Sequence, residues 1–197
     1  MRRLVVTVLV LVALLAALDR VALWGAQHDV AERLQADAHL RTAPSVTIHG
    51  YPFLTQLIGG NYDDVDVVMR GLDSGGLRID KLSVHVHGAH VSLSDVVSQN
   101  RSRIHVDRAS AQMLLTYADL EGYVRNRLGA AAPAHVDHSV VTSASVRGST
   151  TVVLHTSAGD LPITLTGLPF GIHLTSAKAT QVGVEVSGSA TGLVLRT

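Results

Sequence analysis

Cysteine is absent from all 197 residues, which excludes disulfides, thiolate metal sites and cysteine nucleophiles. Aromatic residues are scarce, at 4%, with Phe53 and Phe170 the two phenylalanines. Neither sign of charge is in excess: 16 basic residues face 16 acidic ones, with no basic arm and no long acidic run, which argues against a nucleic-acid partner. No Gly-x-Ser-x-Gly elbow, phosphate-cradling loop or dinucleotide fingerprint occurs. What remains is 47% hydrophobic and consists mainly of Val, Leu, Ala and Ile, a composition suited to strands. The length fits one domain with a sizeable core once the N-terminus is set aside.

Met1-Arg2-Arg3 precedes an apolar run from Leu4 to Leu18 that only Thr7 interrupts. A short basic region followed by an apolar one is the export signature. About 15 residues at ~1.5 Å each reach ~22 Å, short of a ~30 Å hydrocarbon core. That length fits a signal peptide, yet no small-x-small cleavage site follows. The rival is an uncleaved signal-anchor in which Arg20 snorkels and Trp24 sits at the interface, and it is favoured here. Either way residues 1–24 direct residues 25–197 out of the cytoplasm, because Arg2 and Arg3 stay inside.

From Val21 to Leu40 the spacing of Val21, Trp24, Ala31, Leu34 and Ala38 predicts a helix, which Pro44 ends. Packing on a sheet accounts for this stripe, and lining of a lipid groove is its functional counterpart. The segment Gly50-Tyr51-Pro52-Phe53-Leu54-Thr55-Gln56-Leu57-Ile58-Gly59-Gly60 then forms an apolar plug or short helix between two strands, Val46–His49 and Val65–Met69.

Strands dominate the remainder. Asp73-Ser74-Gly75-Gly76 reads as a hairpin turn, and Ile79 to Val86 alternates, with Leu82, Val84 and Val86 on one face and Lys81, Ser83, His85 and His87 on the other. Ser94 to Val97 reads as one capped helical turn, and Arg103 to Leu115 as a strand. Thr116 caps a helix with Asp119 in reach of a capping box, an apolar stripe of Leu120, Tyr123, Val124 and Leu128, and Gly129 as its stop. After an Ala130–Ala134 linker, strands are expected at Val136–Val146, Thr150–Ser157, Leu161–Gly167, Ile172–Leu174, Val182–Val186 and Leu193–Leu195. Short turns make neighbours antiparallel, and no long helices alternate with the strands, so the doubly wound class is disfavoured.

Of the 11 histidines, His85, His87 and His90 are close enough in sequence to raise a metal site. No carboxylate accompanies them at familiar ligand spacing, so a solvent-facing polar row is the better account. Asp63, Asp64 and Asp66 lack the ordered oxygen ladder of a calcium loop and read as turn and surface residues. No metal, cofactor or catalytic residue is assigned.

Gly50-Tyr51-Pro52-Phe53-Leu54-Thr55-Gln56-Leu57 followed by Gly60, Tyr62 and Val65 resembles the signature of the LmeA-like family of actinobacterial cell-envelope proteins. Leu115-Thr116-Tyr117-Ala118-Asp119-Leu120 is similar to that family's second motif. The resemblance spans roughly Asp29 to Thr197. It implies a phospholipid-binding envelope protein that maintains envelope lipids or glycolipids such as lipomannan. It also implies an α+β fold in which a strongly curved antiparallel sheet wraps one or two amphipathic helices, as in tubular lipid-binding domains, behind an N-terminal signal or anchor helix. The expected partners are phospholipid or envelope glycolipid, and the cytoplasmic membrane through the N-terminal segment. Lipid is expected between the helix face carrying Val30 and Leu34, the plug residues Phe53, Leu54, Leu57 and Ile58, and the strand residues Val65, Val67, Leu82 and Val84. Burial of acyl chains contributes ~0.8 kcal/mol per CH₂ and needs few polar groups. A lipid-acting hydrolase or transferase built from His and Asp residues, and a structural domain with a filled core, remain the alternatives.

Overall fold

The computed structural model describes residues 1–37, 40–91, 103–129 and 135–196. The expected turn at Ser94–Val97 and the linker Ala130–Ala134 lie outside the described residues. The order is α1 (Arg2–Asp37), β1 (Ser45–His49), α2 (Phe53–Gly59), β2 (Asn61–Ser74), β3 (Leu77–His90), β4 (Arg103–Thr116), α3 (Tyr117–Leu128), β5 (Val141–Arg147), β6 (Thr151–Thr156), β7 (Gly159–Thr164), a 3-10 turn (Pro169–Gly171), β8 (His173–Ala179) and β9 (Gly183–Arg196). The class is α+β with antiparallel sheets that do not close.

Six strands form the main sheet in the order β1-β2-β3-β4-β9-β8, and β5-β6-β7 form a second, three-stranded one. The β2–β3 hairpin turns at Gly75 and Gly76, both at positive φ (63° and 87°), the conformation a two-residue hairpin loop requires. Asp73 Oδ1 accepts the Gly76 N–H at 3.0 Å and closes the turn. The turn sets the whole register, including Val67 opposite Val84 and Met69 opposite Leu82. Across β4 the row continues through Met113 and Ala111, and into β9 through Val186 and Gly188. Alternation therefore builds one continuous apolar face.

The sheet is creased rather than flat. Leu82, Val84 and Val86 are buried on β3, but beyond Gly88 the buried residue is Ala89. The neighbouring strand changes parity at the same level, from Ala109 to Val106 across Asp107. Gly88 and Gly192 both have positive φ (65° and 61°), and the register brings them to the level of Asp107 on either side of β4. Left-handed glycines at one level of β3 and β9, with the change of parity in β4 between them, are the pattern by which a sheet is bent. At Gly88 a Cβ would run into the Asp107 side chain.

α3 packs on β3 and β4, with Leu120 and Val124 buried. Its cap is the predicted one: Thr116 Oγ1 accepts the Asp119 N–H at 3.2 Å and donates to Asp119 Oδ2 at 2.6 Å. The second sheet meets the main one where β5 contacts β8. Buried Ser74 joins them as well, its hydroxyl donating to Thr166 O at 2.7 Å and accepting the Thr166 N–H at 3.0 Å.

Several element boundaries differ from the sequence reading: the strand expected at Leu161–Gly167 is Gly159–Thr164, and three further differences have a visible physical reason. Residues 136–140 are loop and turn, with strand only from Val141. There Asp137 accepts from Ser139 N–H and Val140 N–H, a local turn that competes with extension. The segments expected at Val182–Val186 and Leu193–Leu195 are one strand, β9, because pairing along the full length of β4 holds the intervening Gly- and Ser-rich residues extended. Pairing with β9 likewise carries β8 to Ala179, beyond the expected end at Leu174.

Candidate functional site

α1, α2 and the β1–β2 edge of the sheet meet in one apolar junction. α1 runs unbroken across the boundary expected at residue 24. Its stripe of Ala22, Leu23, Ala26, Ala31 and Leu34 packs against the core, while Leu18, Val21 and Trp24 stay exposed on the other side. α2 follows Pro52, which stands in the N-cap position without a side-chain acceptor. The missing acceptor comes from α1: Asp19 Oδ1 accepts the Leu54 N–H at 2.8 Å. Asp19 is 2% exposed, and among the described residues its Oδ2 has no hydrogen-bond partner. Next to it the Arg20 guanidinium lies 5.0 Å from the centre of the Tyr51 ring, within cation–π range.

Gln56 ties the other side of α2 to the sheet. Its Nε2 donates to His49 O at 3.1 Å, and its Oε1 accepts the Asp63 N–H at 3.3 Å. Gly60 ends α2 in the left-handed conformation (φ 67°) and donates its N–H to Gln56 O. Phe53 is 1% exposed and faces Tyr62 with ring centres 6.3 Å apart.

The residues expected to touch lipid divide into three groups. Phe53, Val67, Leu82 and Val84 are fully buried in the core. Leu34, Leu57 and Val65 are half-buried and pack on that same core, and Leu54 is half-buried beside Asp19. Val30 and Ile58 are exposed, at 37% and 74%. Seven of the ten thus lie in or against the common core, Leu54 sits beside Asp19, and Val30 and Ile58 face outward. Two open grooves lie elsewhere. One of about 290 Å³ is lined by Thr42, Ser45, Arg70 and Lys81, and one of about 360 Å³ by Thr164, Leu165, Leu168 and Ile172.

The opposite, polar face of the sheet carries a ladder of His and Asp. His49 Nε2 meets Asp66 Oδ2 at 2.8 Å, and His85 Nδ1 meets Asp66 Oδ1 at 2.6 Å. His85 Nε2 lies 3.2 Å from Asp64 Oδ1, which also takes His87 Nδ1 at 2.7 Å. A carboxylate at each ring nitrogen favours the doubly protonated imidazolium form of His85. Its hydrogen bond to Asp66 chiefly raises its pKa. Asp64 and Asp66 are held below the ordinary carboxylate value, first by hydrogen bonds from His87 and His85 respectively. These nitrogens are committed to carboxylates, and among the described residues no group of three or more acids and histidines is placed to hold a metal. Sequence spacing alone missed the carboxylate partners. The signal that could have found them is the hairpin turn, whose register sets Asp64 opposite His87 and Asp66 opposite His85.

A family model described as LmeA-like phospholipid-binding matches residues 17–189, most of the chain, starting just before Asp19. No curated protein and no solved structure matches.

Proposed function

The chain belongs to the LmeA-like phospholipid-binding family, and from that premise we propose that it is a membrane-tethered, extracytoplasmic phospholipid-binding protein serving cell-envelope lipid or glycolipid maintenance. The family match carries the reading. Phospholipid binding follows from it at the level of the family, which is a lipid-binding family and not a known enzyme family. In this proposal binding is non-catalytic, residues 1–24 anchor the chain, and residues 25–197 form the lipid-binding domain. The apolar α1, long enough to cross a bilayer, and the basic Arg2-Arg3 at its start support the tether and its orientation.

Lipid is proposed to enter at the α1–α2 junction. Val30 and Ile58 mark the rim, Leu34, Leu54, Leu57 and Val65 the throat, and Phe53, Val67, Leu82 and Val84 the floor. The floor is packed, so an acyl chain enters by displacing α2 or α1 from the sheet. Each acyl CH₂ buried there contributes ~0.8 kcal/mol, which offsets the helix–sheet packing given up on opening.

The test uses the full chain purified in a mild detergent, exchanged exhaustively against lipid-free detergent, then measured by native mass spectrometry and lipid extraction. A phospholipid retained at fixed stoichiometry is the expected result. A bare protein mass that stays unchanged after incubation with envelope lipid would sink the reading and favour a structural domain with a filled core.

A further inference from the structure

We propose that α2 and the Tyr51 turn before it rest in the interface of the bilayer that α1 enters, so that the candidate lipid junction opens directly onto the leaflet. This rests on reading α1 as the membrane tether. Three independent observations lead there. The first is length. Exposed apolar side chains on α1 continue past Leu18 to Val21 and Trp24 on the side turned away from the domain. The apolar run from Leu4 to Leu18 covers ~22 Å of a ~30 Å hydrocarbon core, so Asp19, Arg20, Val21 and Trp24 come to lie near its edge. The second is the latch: Asp19 holds the Leu54 N–H, so α2 lies beside the last turns of that apolar stretch and not beyond it. The third is chemistry. No charged residue occurs from Tyr51 to Tyr62, and Ile58 and Tyr51 are 74% and 64% exposed. Exposed aromatic and aliphatic groups beside a span, with Arg20 on Tyr51 to meet lipid phosphate, are what an interfacial segment carries. Water is a poor solvent for that surface and the leaflet a good one.

The chain has no cysteine, so single-cysteine labelling is clean. Full-length Ile58→Cys and Tyr51→Cys, with Gln112→Cys on the polar sheet face as reference, would carry an environment-sensitive fluorophore. Each is reconstituted into phosphatidylcholine–phosphatidylglycerol vesicles containing lipids with a quencher at the top of the acyl chain. The expected result is a blue-shifted emission and several-fold stronger quenching at positions 58 and 51 than at 112. Melting curves matching the unlabelled chain show that each variant is folded. Equal, water-like signals at all three positions would overturn the proposal. Phospholipid retained by the same variants after exchange into lipid-free detergent would then leave phospholipid binding standing, and its loss with positions 58 and 51 still quenched in vesicles would do the reverse. A chain that does not associate with the vesicles would overturn both the tether and the interfacial placement.

Discussion

Asp19 and Leu54 are 35 positions apart and joined at 2.8 Å, carboxylate to backbone N–H, so that a side chain on one helix caps another. A helix of seven residues has no intrahelical acceptor for its leading N–H groups, and Pro52 supplies none. The apolar N-terminal helix is therefore part of how the domain is held, and not only its leader.

Removing that cap has a defined consequence. Asp19→Ala in the full chain is expected to cost about 1 kcal/mol, the usual worth of an N-cap. For a domain of this size that lowers the Tm by roughly 2–4 °C. Asp19→Asn keeps an acceptor oxygen and is expected to recover most of the loss. Thermal melts in detergent decide it, and equal melts for all three chains would mean that the bond contributes nothing.

The His–Asp ladder predicts a pH dependence with a defined sign. The raised pKa of His85 contributes stability that is complete below the unfolded imidazole value and is lost as pH rises through the folded one. The lowered pKa values of Asp64 and Asp66 contribute stability present above the unfolded carboxylate value and lost as pH falls through the folded ones. Both contributions are present together between roughly pH 4 and 6.5. These side chains are 36% to 57% exposed, so added salt should flatten the profile. His85→Asn should abolish the decline on the alkaline side, and a decline that persists unchanged would remove His85 from the account.

Two glycine substitutions should move stability in opposite directions. At Gly183 a Cβ would meet the Leu115 carbonyl oxygen and the Thr116 Cα, backbone atoms that cannot step aside where β9 joins β4. Gly183→Ala is expected to cost about 1–3 kcal/mol. Gly122, on the exposed face of α3, has open space around it. Gly122→Ala is expected to stabilise by about 0.4–1 kcal/mol through the unfolded chain and helix propensity. Denaturant titrations of both would expose an error in either assignment.

The lipid site is tested by shape. Leu57 is half-buried against the core and is proposed to line the lipid's path, so Leu57→Trp should obstruct an acyl chain while leaving the melting transition nearly intact. Lipid loading equal to that of the parent chain, in a folded variant, would place the lipid elsewhere.

Much of the architecture was legible from local pattern. The hairpin at Gly75-Gly76, the Thr116–Asp119 cap and the alternation of Leu82, Val84 and Val86 all depend on residues a few positions apart. The same local signals failed at Val136–Val140, where an aspartate turn outweighed strand propensity, and at Ser187–Thr191, where a full-length partner strand outweighed the small residues. The candidate site was legible as a set of apolar residues, but periodicity has no means of sorting Phe53, at 1% exposure, from Ile58, at 74%.

By itself the sequence determined the class of the fold, the position of the apolar leader, the main turn and the family, because each is written in nearest-neighbour chemistry or in a contiguous motif. Only the tertiary structure decided that Asp19 caps α2, that Gly88, Asp107 and Gly192 align into one crease, and that His85 stands between Asp64 and Asp66. Each of those relations joins residues on different elements. It exists only after strand register and helix docking have brought them within a few ångströms, where hydrogen bonds, steric exclusion and charge begin to act.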